Sequence, residues 1–320
     1  MTRDFDVVIV GAGPAGIGAA LALSSRGIDS VCLIERSAAA GGIPARYGDK
    51  GPVPTFVAYR RGSVVHGGEY ARALRERLAR TRVRVMLETQ VIGVDVARRT
   101  VAAVAPDRGR FEVTARACVF TTGAREQSAA ERGWMAGARP ARVLFTLQLI
   151  DLLERHDALP GARPIVLGSD LIGYAAAAKL AAAGAEVSVL ADTSALPRTS
   201  LPARLFFRRW TRARHLAAPA VRILGDTTVE SVSTQDHSLS CDAVVLSGSL
   251  TPNSELLVQG GFRVEPPRQV PAVSRSGVLS EPGFFAAGNL LGGFHGAEWC
   301  YRSGRRVGSS VAKYLIRENS

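Results

Sequence analysis

The chain has few cysteines and no close pair of them: Cys32, Cys118, Cys241 and Cys300 lie far apart in a sequence of 320 residues. Neither a CxxC dithiol nor a zinc-type spacing can be drawn from them, which argues against a dithiol redox centre, a disulfide scaffold and a structural metal, so that no metal is expected. Lysine is almost missing: of 40 basic residues only Lys50, Lys179 and Lys313 are lysines, and against 28 acids the chain keeps a net charge of +12. No apolar run approaches the roughly 20 residues that a membrane span needs. The opening MTRDFDVVIV enters an apolar strand at once, without the layout of a signal peptide. These absences lead to the expectation of a soluble, cytoplasmic protein.

What is present reads as globular, with 47% apolar residues, 33 glycines and 16 prolines, and with length enough for two domains. The densest basic run, RRWTRAR at residues 208–214, sets a tryptophan among arginines. A solvated basic face is the preferred reading, nucleic acid is not expected, and an acidic redox partner protein or further subunits stay open.

Residues 6–10 form an apolar strand, residues 15–25 an Ala/Leu-rich helix stopped near Gly27, and residues 30–34 a second strand: one βαβ unit. From residue 83 to residue 120 the pattern alternates, which predicts an antiparallel meander packed on that unit. A second βαβ unit follows, with a helix from Leu144 to His156, a strand at 164–167, a glycine turn, a helix to Ala183 and a strand at 186–190. The chain ends on a strand at 283–287 and a closing helix. The fold class is α/β, two Rossmann-like three-layer domains. The first is discontinuous (1–125 and 251–320), with a second dinucleotide-binding-type domain (126–250) inserted.

In VIVGAGPAGIGA, residues 8–19, each glycine has its own task. Gly11 permits the tight strand-to-helix turn, Gly13 lets the backbone approach a pyrophosphate, and Gly16 lets helix and strand pack closely. The helix opening at Pro14 and Ala15 offers free N–H groups and a positive dipole end to phosphates. Glu35, 24 residues after Gly11, is placed for ribose hydroxyls, and its charge argues against a 2′-phosphate there. The second copy, VLGSDLIGYAAA at residues 166–177, keeps Gly168 and Gly173 but has Asp170 where the middle glycine belongs. Asp170 either bars a pyrophosphate by its bulk and charge or turns aside as a helix cap, so NAD(P)H binding stays open.

The glycine turn at 11–16, Glu35, the Gly41-Gly42 pair, TTGA at 121–124, TPN at 251–253 and GFFAAG at 283–288 together resemble the pyridine nucleotide-disulfide oxidoreductase superfamily. Its members have two dinucleotide-binding domains and include thioredoxin reductase. The resemblance spans almost the whole chain. GGIPARYGDKG at 41–51, GGEYARAL at 67–74 and TTGARE at 121–126 look most like the flavoprotein subunits of hydrogen cyanide synthase and opine oxidase type, although their cysteine-rich segment is missing here.

The resemblance implies FAD in the first site. The pyrophosphate would lie on Gly13, Pro14, Ala15 and Gly16, the ribose on Glu35 beside Arg36, and the adenine near the backbone of Val91. Gly42 and Ile43 would run along the isoalloxazine side, Thr122 and Gly123 would close over the cofactor, and Gly288 and Asn289 would meet its ribityl and pyrophosphate region. Asn289 stands where the family normally has aspartate. The closing helix, starting near Gly296 and Ala297, would point its positive end at the flavin pyrimidine ring.

Without a dithiol, and with the second site in question, the expected reaction is oxidation of a small amino or hydroxy compound by hydride transfer to flavin N5, alone or as a subunit of a complex. His295 and Glu298, three apart and on one face if the helix has begun there, are the candidate proton acceptors. Arg46, Tyr47 and Lys50 are candidates for a substrate carboxylate, and Cys300 is expected to be packing. An NAD(P)H-dependent reductase and a flavin-bound assembly subunit without turnover remain as alternatives.

Overall fold

In a computed structural model the chain is described over residues 4–48, 56–59, 63–134, 139–187, 189–192, 196–218, 220–248, 250–293 and 295–318; Lys50 lies outside them. It separates into two compact units, one of Met1–Ala45, Phe56–Arg125 and Leu250–Ser320, the other of Arg46–Thr55 and Glu126–Ser249.

The first unit is organised by the strand Phe5–Val10. Its side chains alternate between two cores: Val7 and Ile9 pack with Ile17, Leu23 and Leu33, while Val8 and Val10 pack with Ile34, Phe120 and Phe284. A strand apolar on both faces belongs inside a covered parallel sheet. Phe5–Val10 accordingly pairs parallel with Val31–Ile34 and with the second half of Gly109–Phe120, which also takes Phe284–Ala286 as a parallel partner. The first half of Gly109–Phe120 continues antiparallel into Thr100–Ala105 and then Gln90–Asp95. The meander therefore begins later than the alternation implied, because Arg84–Met86 runs parallel to Val31–Ile34. This strand exposes Arg84 and Val85, and a half-buried edge strand alternates whichever way its neighbour runs.

The helix Pro14–Ser24 packs along the closing helix Ala297–Glu318. The approach is so close that a Cβ on Gly304 would collide with the Ala15 carbonyl and one on Gly308 with the Ala19 carbonyl.

The second unit repeats the plan. Its parallel sheet runs in the order Val143–Phe145, Ala243–Leu246, Pro164–Leu167, Val189–Asp192, Arg214–Ala217, with a three-stranded antiparallel sheet beside it in sequence. The helix expected from Leu144 starts at Thr146, since residues 143–145 pair as a strand with Ala243–Leu246. Among the described residues no helix is long and apolar enough to cross a membrane.

Candidate functional site

The first glycine turn sits at the carboxyl end of Phe5–Val10. Gly11 takes φ +100°, and a Cβ there would press on the Thr121 carbonyl; at Gly16 it would collide with the Gly11 carbonyl. Thr121 fixes this end of the sheet, its N–H and hydroxyl donating to Val10 O at 2.8 and 2.9 Å. The helix that follows has Gly13 as its N-cap and no side chain bonded to its end. Pro14 has no N–H, and the amides of Ala15 and Gly16 have no intrahelical acceptor by helix geometry. Two free donors at the positive end of an 11-residue helix form an open anion cradle.

Other predicted residues converge on this cradle. Gly41 N–H donates to Ala12 O at 2.8 Å, and Gly42 lies so near that an added Cβ would come within 2.8 Å of the Gly13 Cα. Gly288, at φ +77°, backs on the same helix end, 2.8 Å from an added Cβ to the Ala15 Cβ. Glu35 is buried, Oε2 accepting from Ala12 N–H and Oε1 from Ser37 N–H, both at 2.8 Å, which leaves each oxygen a further lone pair. Arg36 beside it is exposed. Thr122 and Gly123 are held by Asn253: Thr122 Oγ1 donates to Asn253 O at 2.7 Å, and Asn253 Nδ2 donates to Thr122 O at 2.8 Å. Val91 turns its side chain into the core and leaves only its backbone for a ligand. These residues fit a dinucleotide pyrophosphate and ribose.

The closing helix starts at Ala297, so His295 precedes it and the condition for His295 and Glu298 to share a helical face is not met. His295 stacks on Trp299 with ring centroids 3.7 Å apart. Glu298 is turned elsewhere, accepting from Tyr70 Oη at 3.3 Å and from Arg302 Nε at 3.0 Å. Asn289 closes the 289–295 turn, Oδ1 accepting from His295 N–H at 3.1 Å and Nδ2 donating to His295 O at 3.2 Å. Gly296 O accepts from Cys300 N–H at 3.1 Å, and burial pushes the Cys300 thiol up to about 11, which makes it a packing group at neutral pH.

In the second unit the glycine turn is built alike and finished differently. Gly168 takes φ +134°, and a Cβ on Gly173 would collide with the Gly168 carbonyl. Here the helix Leu171–Ala182 is capped by its own protein: Asp170 Oδ1 accepts from Gly173 N–H at 2.9 Å and from Ser247 Oγ at 2.9 Å. Arg132 donates to the Ser247 carbonyl at 2.8 Å and to the Gly248 carbonyl. Of the two readings of Asp170, the structure shows the helix cap, and the capping carboxylate stands at the helix end where the first unit leaves its donors free.

The repeat also reveals a residue that sequence reading missed. Asp192 follows Gly168 by 24 residues, the spacing of Glu35 from Gly11. Its Oδ2 accepts from Ser169 N–H at 2.8 Å and Ser169 Oγ at 2.7 Å, while Oδ1 meets Arg198 Nε at 3.1 Å. The spacing was the available signal.

Of the substrate candidates, Arg46 is committed to Asp151 through both ends of its guanidinium, Nε lying 3.3 Å from Oδ1, so it is not the free carboxylate binder expected of it. Burial, and then the Glu126 carboxylate, push the Tyr47 phenol above its ordinary value. Glu126 itself is raised by burial; Oε2 accepts from Leu147 N–H at 3.2 Å and Oε1 is buried without a partner among the described residues. Among the described residues no cluster of three or more His, Cys, Asp or Glu side chains could hold a metal ion.

Two Rossmann-type units are present, the first with an uncapped helix end after its glycine turn and a buried acid, Glu35, bonded to that turn. The model of the pyridine nucleotide-disulphide oxidoreductase family matches residues 5–304, and the chain belongs to that family. It is 25% identical over 304 residues to an alkyl hydroperoxide reductase subunit of Pseudomonas aeruginosa, a match that takes in 89% of this chain but 53% of that one, so the chain spans about half the length of its curated relative. The crystal structure of T. acidophilum thioredoxin reductase superposes with a TM-score of 0.79 at 20% identity over 100% of both chains. That of L-proline dehydrogenase from P. horikoshii does so with a TM-score of 0.72 at 21% identity, over 98% of this chain and 58% of that one.

Proposed function

We propose that the protein oxidises a small amino or hydroxy compound, with the substrate itself and not NAD(P)H as the electron donor. The observation that carries this is the contrast between the two turns: Gly13 leaves its helix end uncapped, whereas Asp170 fills the matching position with a carboxylate. A pyrophosphate brought there would meet like charge and find Gly173 N–H already bonded. The sequence has no CxxC either, so a dithiol is not the acceptor.

FAD, when bound, supplies the two-electron acceptor for the substrate hydride. The chain's own residues do the rest. The Ala15 and Gly16 amides and Glu35 hold the cofactor's pyrophosphate and ribose. His295, held on Trp299, takes the proton lost from the substrate nitrogen or oxygen at an imidazole nitrogen. Glu298, bonded to Tyr70 and Arg302, fixes the start of the closing helix instead of acting as the base. Within the family, GGIPARYGDKG, GGEYARAL and TTGARE support a place beside the amine- and amino-acid-oxidising subunits of hydrogen cyanide synthase and opine oxidase type. The likeness to L-proline dehydrogenase, over 58% of that chain, supports this reading. Four free, buried cysteines suit a reducing, cytoplasmic setting.

Dye-linked turnover of the full chain on a panel of amino acids, amines and 2-hydroxy acids tests this; one compound is expected to sustain turnover without added nucleotide, and turnover only with NADH or NADPH would overturn it. A second reading, an NAD(P)H-dependent reductase, is favoured by one observation: Asp192 keeps the ribose-side position that Glu35 has in the first unit.

A further inference from the structure

The RRWTRAR run is not simply a solvated face. The helix Leu201–Phe207 and the edge strand Arg214–Ala217 flank an open cleft of about 560 Å³. Arg204, Arg208, Arg212 and Arg214 all line it, with His215 and Tyr174, and among the described residues no acid does. None of the four arginines has an ion-pair partner among the described residues, in a protein where Arg46, Arg99, Arg116, Arg198 and Arg302 do. Arg208, Arg212 and Arg214 are exposed, so their guanidinium donors are open to an acceptor entering from solvent.

The spacing explains how the cluster arises. Leu201, Arg204, Leu205 and Arg208 recur at i, i+3, i+4 and i+7 and so share one helical face. The chain then returns through Arg212 and Arg214 into the edge strand, which brings the second pair of guanidiniums to the same cavity. Leu201 and Leu205, both more than half exposed, give an apolar rim. Gly168, Asp170 and Gly173 do not line this cavity, although Tyr174, next after Gly173, does.

The aromatic residues decide between classes of anion. A single-stranded nucleic acid needs an open ring on which its bases stack. Trp210 is instead packed on Phe206 at 5.3 Å, Phe206 on Phe207 at 5.3 Å, and Phe207 on Tyr174 at 6.5 Å, a row of rings that pack on one another. What remains is a small-molecule-sized cavity with four planar guanidinium forks, whose geometry matches phosphate oxygens.

We propose that this cavity is a binding site for a phosphorylated small molecule bearing a di- or triphosphate group, held by Arg204, Arg208, Arg212 and Arg214. The site is independent of the oxidation proposed above, and its test does not use turnover. The FAD-loaded full chain is titrated calorimetrically with inorganic pyrophosphate and with ADP; loading keeps the first glycine turn filled. Saturable binding of one pyrophosphate per chain is expected, weakening with salt. Arg204→Gln and Arg214→Gln are each expected to weaken it about tenfold or more, the loss of one charge-assisted hydrogen-bond set, with flavin content unchanged as the sign of an intact fold. Absence of saturable binding at millimolar pyrophosphate would overturn the proposal, as would unchanged affinity in both variants, or displacement of pyrophosphate by a single-stranded oligonucleotide that covers several nucleotides per chain.

Discussion

Gly13→Asp would place in the first turn the residue that the second turn carries, and it separates ligand binding from folding. Gly13 has φ −73° and ψ −176°, extended backbone that aspartate adopts freely. An added Cβ would meet only the Gly42 Cα, at 3.9 Å. The side chain is therefore accommodated and can cap the helix as Asp170 does, a gain of about 1 kcal/mol for the apoprotein. For the cofactor the sign reverses. A carboxylate charge about 4 Å from one phosphate charge, at an effective dielectric constant of about 20, opposes binding by about 4 kcal/mol, or about three orders of magnitude in affinity. The assay is flavin content by absorbance after purification, together with thermal unfolding of flavin-stripped wild-type and variant proteins. The expected result is a nearly colourless variant whose stripped form unfolds at or above the wild-type temperature. A variant that keeps full flavin would refute the reasoning about both turns, because the same charge argument closes the second one.

The reciprocal change, Asp170→Gly, is expected to give measurable NADH or NADPH binding where the wild type has little, at a stability cost of about 1–3 kcal/mol for the lost cap and the orphaned Ser247 hydroxyl, read by denaturant unfolding. Glu126 has its carboxyl raised by burial, so its contribution to stability is complete below the ordinary carboxylate range and is lost as pH rises through the folded value; Glu126→Gln should therefore gain melting temperature relative to wild type as pH is raised from about 4 to 8, and an equal difference at both ends would contradict it. By the same sign, the Cys300 thiol, held at about 11 against 9.0, should alkylate slowly at pH 8 and cost stability as pH rises from about 9 to 11, a dependence absent in Cys300→Ala. His295→Ala should lower turnover about a hundredfold, and Glu298→Gln less than tenfold with the larger part of its effect on melting temperature.

What was legible in the sequence was local. The Gly11 turn, its helix and Glu35 follow from a fixed spacing on consecutive elements, and the fold class from a repeat of that spacing. Asp192 was equally legible by the 24-residue interval and was passed over beside the more conspicuous Asp170. That Asp170 could cap its helix was readable, but the partners that fix it there were not. Its partner Ser247 is 77 residues away, and the Arg132 contacts that brace Ser247 and Gly248 span 115 and 116. Arg46 was misjudged for a similar reason: in sequence it is a basic residue in a Gly/Pro-rich loop, and only folding brings Asp151, 105 residues on, against it. The closing helix begins only at Ala297, late enough to take His295 off the face of Glu298. In RRWTRAR the tryptophan suggested a stacking surface, and packing on Phe206 removed it.

The most direct test of the central claim is anaerobic stopped-flow reduction of the bound flavin in the wild-type protein, with NADH, NADPH and the substrate panel mixed separately. The account predicts rapid bleaching by one amino or hydroxy compound and no rapid bleaching by either nucleotide. Fast bleaching by NADH or NADPH would contradict it, since the Asp170 carboxylate could then not be closing the second site.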